Sequence, residues 1–189
     1  MKKLLLLLII SITHFYNAQS PTQFEFTSNA MNPFIVTEVQ NKSATELYQK
    51  SLEWIKKNYK SPDDVIITTV ENDYIRFRGI ANNLRCWKLV SYACSDVQYE
   101  TEITFKDGKF KFEILNFEEK DKDPFNDFRT YWKNINALFY TNNKTLYNKD
   151  GELKKQYVGY INKIPSYFNN LNSELKSYIE ESSQQKNDW

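Results

Sequence analysis

Residues 97–117 read VQYETEITFKDGKFKFEILNF, and this stretch decides the fold. Val97, Tyr99, Thr101, Ile103 and Phe105 alternate with Gln98, Glu100, Glu102, Thr104 and Lys106. After Asp107-Gly108 the alternation resumes, with Phe110, Phe112 and Ile114 set against Lys109, Lys111 and Glu113. Period two over this length marks a half-buried strand. Asp-Gly between two such runs predicts a β-hairpin closed by a type I′ turn, which needs positive φ at both central positions. One face of this hairpin is apolar and requires a cover. The other is charged and meets water.

The cover is legible on either side. Ser43-Ala-Thr-Glu46 is a capping box, and Leu47, Tyr48, Leu52, Ile55 and Tyr59 follow it at helical spacing. Lys56, Lys57 and Lys60 suit the negative end of that helix, and Pro62 ends it. Near the C-terminus Ile164, Phe168, Leu171, Leu175, Tyr178 and Ile179 recur at three and four residues, with Pro165 suited to a first turn. Strands are expected at 34–39 and at 65–70 (VIITTV). Another is expected at 74–79, with Ile75 and Phe77 opposite Arg76 and Arg78. Asn82-Asn83 reads as a turn, 85–93 as a strand or ordered loop, and 118–124 (EEKDKDP) as a charged exit loop. Residues 19–32 read as a polar lead, irregular or a short edge strand. The expected class is α+β: a mostly antiparallel sheet with two amphipathic helices on one face, in the order β-α-β-β-β-β-α.

The chain has 189 residues, enough for one domain that buries a sizeable core. Residues 1–18 read as a signal peptide: Lys2 and Lys3, an apolar run from Leu4 to Ile12, and a cleavage region near Ala18. The run is too short for a comfortable membrane span, and no second stretch is long enough for one. The remaining 19–189 form one exported domain, with a core at 34–117, an insertion at 118–160 and a C-terminal helix at 161–182. Without Lys2 and Lys3 the 25 basic residues fall to 23, against 24 acidic ones. Such a balance is no footprint of a nucleic-acid binder. The single histidine, His14, leaves with the leader. A histidine-activated nucleophile and a histidine-ligated zinc are then both excluded.

Trp54-Ile55-Lys-Lys-Asn-Tyr59-Lys-Ser-Pro62, Arg76-Phe-Arg-Gly79 and Phe105-Lys-Asp-Gly-Lys-Phe-Lys-Phe112, behind an export signal, together resemble a family. It is a domain of unknown function with a TATA-box-binding-protein-like fold, common in secreted Bacteroidetes proteins. The resemblance covers about 34–117 and implies a strand, helix, sheet, helix arrangement. It implies no activity and transfers no functional residue. The fold name carries no implication of DNA binding.

Several constellations invite a chemical reading. Cys86 and Cys94 in an exported chain suggest a disulfide closing a short loop, against the alternative of two free thiols. Asp121, Asp123, Asn126 and Asp127 form an acidic run, and Asn148-Lys-Asp150-Gly151-Glu152 faintly echoes a calcium loop. Leu146 and Tyr157 stand where the decisive ligands belong, so solvated carboxylates account for them. Glu100, Glu102 and Glu113 have the residue type for glycoside chemistry, but they alternate with lysines on an exposed sheet face, and cross-strand charge pairing is the simpler explanation. Lys106, Lys109 and Lys111 interleave with phenylalanines like a nucleic-acid platform, yet the phenylalanines belong to the other face. Tyr131, Trp132, Phe139 and Tyr140 form the candidate binding surface. The reading is an exported, non-catalytic binding module for a protein or small-molecule partner, with no cofactor and no metal. Its alternatives are a carboxylate-based glycan hydrolase, and a carrier of an apolar ligand between sheet and C-terminal helix.

Overall fold

The computed structural model describes residues 20–26, 30–88, 91–136, 147–157 and 163–181. The leader expected at 1–18 lies outside the described residues. Strand β1 (Phe34–Glu38) precedes helix α1 (Ala44–Asn58) and a short α2 (Pro62–Val65). Strands β2 (Ile66–Val70), β3 (Tyr74–Lys88), β4 (Tyr92–Lys106), β5 (Lys109–Asp123) and β6 (Asn126–Asn134) follow. A 3-10 turn (Lys155–Tyr157) and helix α3 (Lys163–Glu181) complete the order. The sheet runs β1-β5-β4-β3-β2, and every pairing is antiparallel. β1 pairs with the first part of β5 and β6 with its last part.

The alternation in β3, β4 and β5 sorts side chains by face. Ile75, Phe77, Val97, Tyr99, Ile103, Phe110, Phe112 and Phe117 are buried. Leu47, Trp54 and Ile55 of α1, and Phe168, Leu175 and Ile179 of α3, join them in one core. Each such side chain contributes roughly 1.5–3 kcal/mol by leaving water. Between the sheet and α3 the space is filled by rings: Phe168 meets Phe117 at 5.4 Å and Tyr99 at 5.1 Å, both edge-on.

α1 begins as its sequence dictates. Ser43 Oγ accepts from the Glu46 amide at 3.2 Å, and a Glu46 carboxylate oxygen accepts from the Ser43 amide at 3.0 Å. A further cap comes from far along the chain, where Asp107 Oδ1 accepts from the Ala44 amide at 2.8 Å.

The hairpin turn therefore departs from the expected type I′. Gly108 has φ +77°, but Asp107 is absent from the residues with positive φ. The reason is docking: Asp107 holds α1, while the Gly108 amide donates to the Lys42 carbonyl at 2.8 Å. Asn82-Asn83 is likewise no turn. β3 runs through it with an irregularity in its pairing to β4, and Asn83 takes φ +53°. The segment 118–123 is strand rather than exit loop, because β6 returns along it. α1 ends before Pro62, which opens α2 instead.

The N-terminal lead also does more than its polarity suggests. Phe24 is buried, edge-on to Phe112 and Phe168. The Asn169 side chain pairs with the Phe24 backbone in both directions, accepting from its amide at 2.7 Å and donating to its carbonyl at 2.9 Å. This lead seals the core between β1 and α3.

Candidate binding surfaces

The face of the sheet away from the helices carries its charges in rows set by strand register. Arg76 lies opposite Glu102, and its Nη2 donates to the carboxylate at 2.7 Å. That bond is the main reason the guanidinium holds its proton more tightly than usual. Arg78 pairs with Glu100, and Lys111 with Glu113. Glu102 and Glu113 sit opposite each other, a like-charge pair in which each member has its own cation. The cross-strand pairing read from the sequence is thus present, but its cations are Arg76 and Arg78 of β3, while Lys111 and Glu113 pair along β5 itself. Carboxylates committed in this way do not converge on a pocket, so the arrangement offers no acid and base across a glycosidic bond.

At the hairpin end of the same face the pattern changes. Lys106 is directly opposite Lys109. Beside them, Thr104 and Lys111 form the next row, continued by Val36 of β1. The phenylalanines of these strands, Phe105, Phe110 and Phe112, are all buried on the other face.

β5 and β6 extend past the sheet as a two-stranded arm. β4 accompanies β5 only as far as Glu119; beyond it Lys120 pairs with Trp132, Asp121 with Tyr131 and Lys122 with Thr130. Asparagines clamp the root: Asn116 Oδ1 accepts from Asn134 at 2.8 Å and from Asn136 at 2.9 Å, and Asn136 Oδ1 accepts from the Phe117 amide. Side-chain caps shape the tip, with Asp123 accepting from the Phe125 amide and Asn126 from the Phe128 amide. Phe125 is 97% exposed and Phe128 100%. Tyr131 is 44% exposed and Trp132 is half-buried. Phe139 and Tyr140, the other members of the surface named from sequence, lie outside the described residues. Sequence reading missed the two phenylalanines, although Pro-Phe-Asn-Asp-Phe, a turn with two large apolar residues, was the available signal.

On the helical side a solvent-open groove of about 460 Å³ runs between α1 and α3, lined by Trp54, Lys57, Glu174 and Tyr178 among others. Lys57 Nζ lies 5.3 Å above the Tyr178 ring. Beneath the helices, Tyr99 Oη stands 3.0 Å from Tyr59 Oη and 3.0 Å from Tyr167 Oη. Burial raises the pKa of all three phenols above its usual value. For Tyr59 and Tyr167 the hydrogen bond to Tyr99 works the other way, and the Glu174 carboxylate adds to the rise. These hydroxyls stay protonated at neutral pH and form a structural chain, not a source of nucleophile.

Cys86 and Cys94 are opposite each other on β3 and β4 and form a disulfide of 2.07 Å. In the run that faintly echoes a calcium loop, the Asn148 side chain serves the turn: its Oδ1 accepts from the Asp150 and Glu152 amides. Asp121 lies 3.7 Å from Lys133. Among the described residues no group of three or more Cys, Asp or Glu is placed to hold a metal ion. None of their helices is long and apolar enough to cross a membrane.

An antiparallel sheet of this strand order, roofed on one face by two helices, is the geometry of a known domain. Residues 35–120 match the family model of a domain of unknown function, DUF4468, with a TBP-like fold. The DUF4468 match thus spans β1 through the root of the arm and leaves β6 and α3 outside it. The solved structure of a DUF4468 family protein from Bacteroides ovatus is similar, with a TM-score of 0.58 at 15% identity. That likeness covers 86% of this chain and 91% of the other. A TBP-like protein from Parabacteroides distasonis gives a TM-score of 0.51 at 18% identity, covering 78% of this chain and 90% of that one. At these identities the likeness establishes the TBP-like fold alone. No curated protein matches the chain.

Proposed function

We propose that this protein is an exported, non-catalytic binding module, and that the arm formed by β5 and β6 presents its surface for a protein partner. The observation that carries the reading is the exposure of Phe125 and Phe128 at the arm's tip. Two fully wetted phenylalanines on a clamped hairpin forgo several kcal/mol of burial, which a partner pocket would supply. Tyr131, 44% exposed, follows the tip on β6, and its neighbour Trp132 faces the opposite side of the arm. Basic and acidic residues alternate along Lys120, Asp121, Lys122 and Asp123. That mixture lacks the basic excess by which a surface segment seeks an anionic membrane, and it favours a protein. Export is supported by the leader-like residues 1–18 and by the Cys86–Cys94 disulfide, which suits an oxidising compartment.

A photo-crosslinking residue in place of Phe128, used in the cells that make the protein, tests the reading. The expected result is one discrete protein adduct that disappears when Phe125→Ser is added, and none from the same residue in place of Ile80. Absence of an adduct would overturn it, as would binding to lipid vesicles that F125S/F128S abolishes. Recovery of the protein inside the cytoplasm with its leader intact would remove the export half of the reading.

A further inference from the structure

We propose a second site, distinct from the arm: a recess on the open face at the hairpin end that binds an oxyanion carrying a short apolar stem. The recess has a volume of about 410 Å³; Lys106, Lys109, Lys111, Phe34, Val36 and Thr104 line it, with Ser20 of the N-terminal lead at its border.

Three independent features converge there. The first is charge. Like charges directly opposite each other on neighbouring strands repel. Where Glu102 faces Glu113, each carboxylate has a basic partner. Where Lys106 faces Lys109, neither lysine has an ion pair among the described residues. Glu38 stands in register with Lys109 on the β1 side but makes no ion pair with it. Lys111, the third cation, is shared with Glu113. The row Glu38, Lys109, Lys106 therefore carries a net positive charge in which neither lysine is tied into an ion pair, unlike the Arg76–Glu102, Arg78–Glu100 and Lys111–Glu113 pairs of the same face.

The second feature is Thr104. Its hydroxyl oxygen is shielded from solvent and has no hydrogen-bond partner. A shielded hydroxyl without a partner is costly, and an oxyanion seated between the lysines would accept its proton. The third is the wall of the recess. Phe34 and Val36 on β1 are half-buried and supply apolar surface beside the cations, with Lys111 Nζ 5.8 Å from the Phe34 ring. A bare inorganic ion would leave that surface unused. The ligand is therefore an organic phosphate or carboxylate whose first few carbons lie on Phe34 and Val36.

Titration of the full folded chain with hexyl phosphate, hexanoate and inorganic phosphate, followed by backbone amide shifts, tests the site and separates the two anion classes. Saturable shifts centred on Lys106, Lys109 and Thr104 are expected for at least one hexyl compound, about tenfold tighter than for inorganic phosphate. Lys109→Gln should weaken this binding about tenfold, while Lys57→Gln in the groove between the helices leaves it unchanged. A second readout is independent of any chosen ligand. Relieving the repulsion, K109Q should raise the melting temperature of the anion-free protein and reduce the further rise produced by sulfate over chloride. Unsaturable or scattered shifts with every anion would overturn the proposal, and so would a K109Q protein that melts lower and responds to sulfate as the wild type does.

Discussion

Tyr99 occupies the space that a side chain on Gly79 would need. Its Oη and Cζ both lie under 3.0 Å from the position of a Cβ at residue 79. Gly79 sits inside β3, opposite Tyr99 on β4, so its value there is the room it leaves and not a turn. The Tyr99 ring cannot retreat, since it is held by two hydroxyls and packed on Phe168. Gly79→Ala should destabilise by about 2 kcal/mol, seen as a lower denaturant midpoint at unchanged slope. Adding Tyr99→Phe should not rescue it, because the ring carbon Cζ clashes as well.

Tyr99→Phe alone leaves the hydroxyls of Tyr59 and Tyr167 without their shared partner. The expected cost is about 1–2 kcal/mol. These phenols have folded pKa values raised above the unfolded value of about 10, so the folded state keeps protons that the unfolded chain releases. Their contribution is whole below that pH and is lost as pH rises beyond it. Alkaline denaturation should therefore be steeper in the wild type than in Y99F; equal steepness would contradict the assignment.

Asp107 links hairpin and helix. Asp107→Ala should cost about 1 kcal/mol, as should Ser43→Ala, because each frees a different amide at the start of α1. The Glu46 carboxylate of the same cap is held below its ordinary pKa, chiefly by the Ser43 amide. Its contribution is present above the ordinary carboxylate pKa and is lost as pH falls through the lowered folded value. Acid titration of α1 helicity should show this loss in the wild type and not in Glu46→Gln.

The Cys86–Cys94 bridge joins residues 8 apart in sequence. A loop of this size constrains the unfolded chain by about 2–3 kcal/mol in the chain-entropy account. Cys86→Ala/Cys94→Ala should melt lower by the corresponding amount, and the unreduced native protein should take up no thiol-alkylating reagent.

How much was legible depends on the range of the interaction. The alternation around Asp107-Gly108, the stripes of the two long helices, the Ser43–Glu46 box and the cysteine pair all depend on neighbours a few residues away, and each appears where its spacing places it. The readings that failed were local rules overruled at a distance. Asn82-Asn83 reads as a turn, but the β4 strand continues past it and carries β3 along. Charged residues 118–123 read as a loop, but β6 provides them with a partner.

The candidate surfaces belong to the second kind. Sequence by itself determines that Lys106, Lys109 and Lys111 share the wet face, because side chains alternate with period two whatever surrounds them. Only the tertiary structure decides that Lys106 faces Lys109, that Val36 and Phe34 line the space beside them, and that Phe125 and Phe128 end an arm with their rings open to solvent. Those facts follow from strand register and from where the sheet stops. Both are settled by the whole set of cross-strand and helix–sheet contacts at once, and no single segment encodes them.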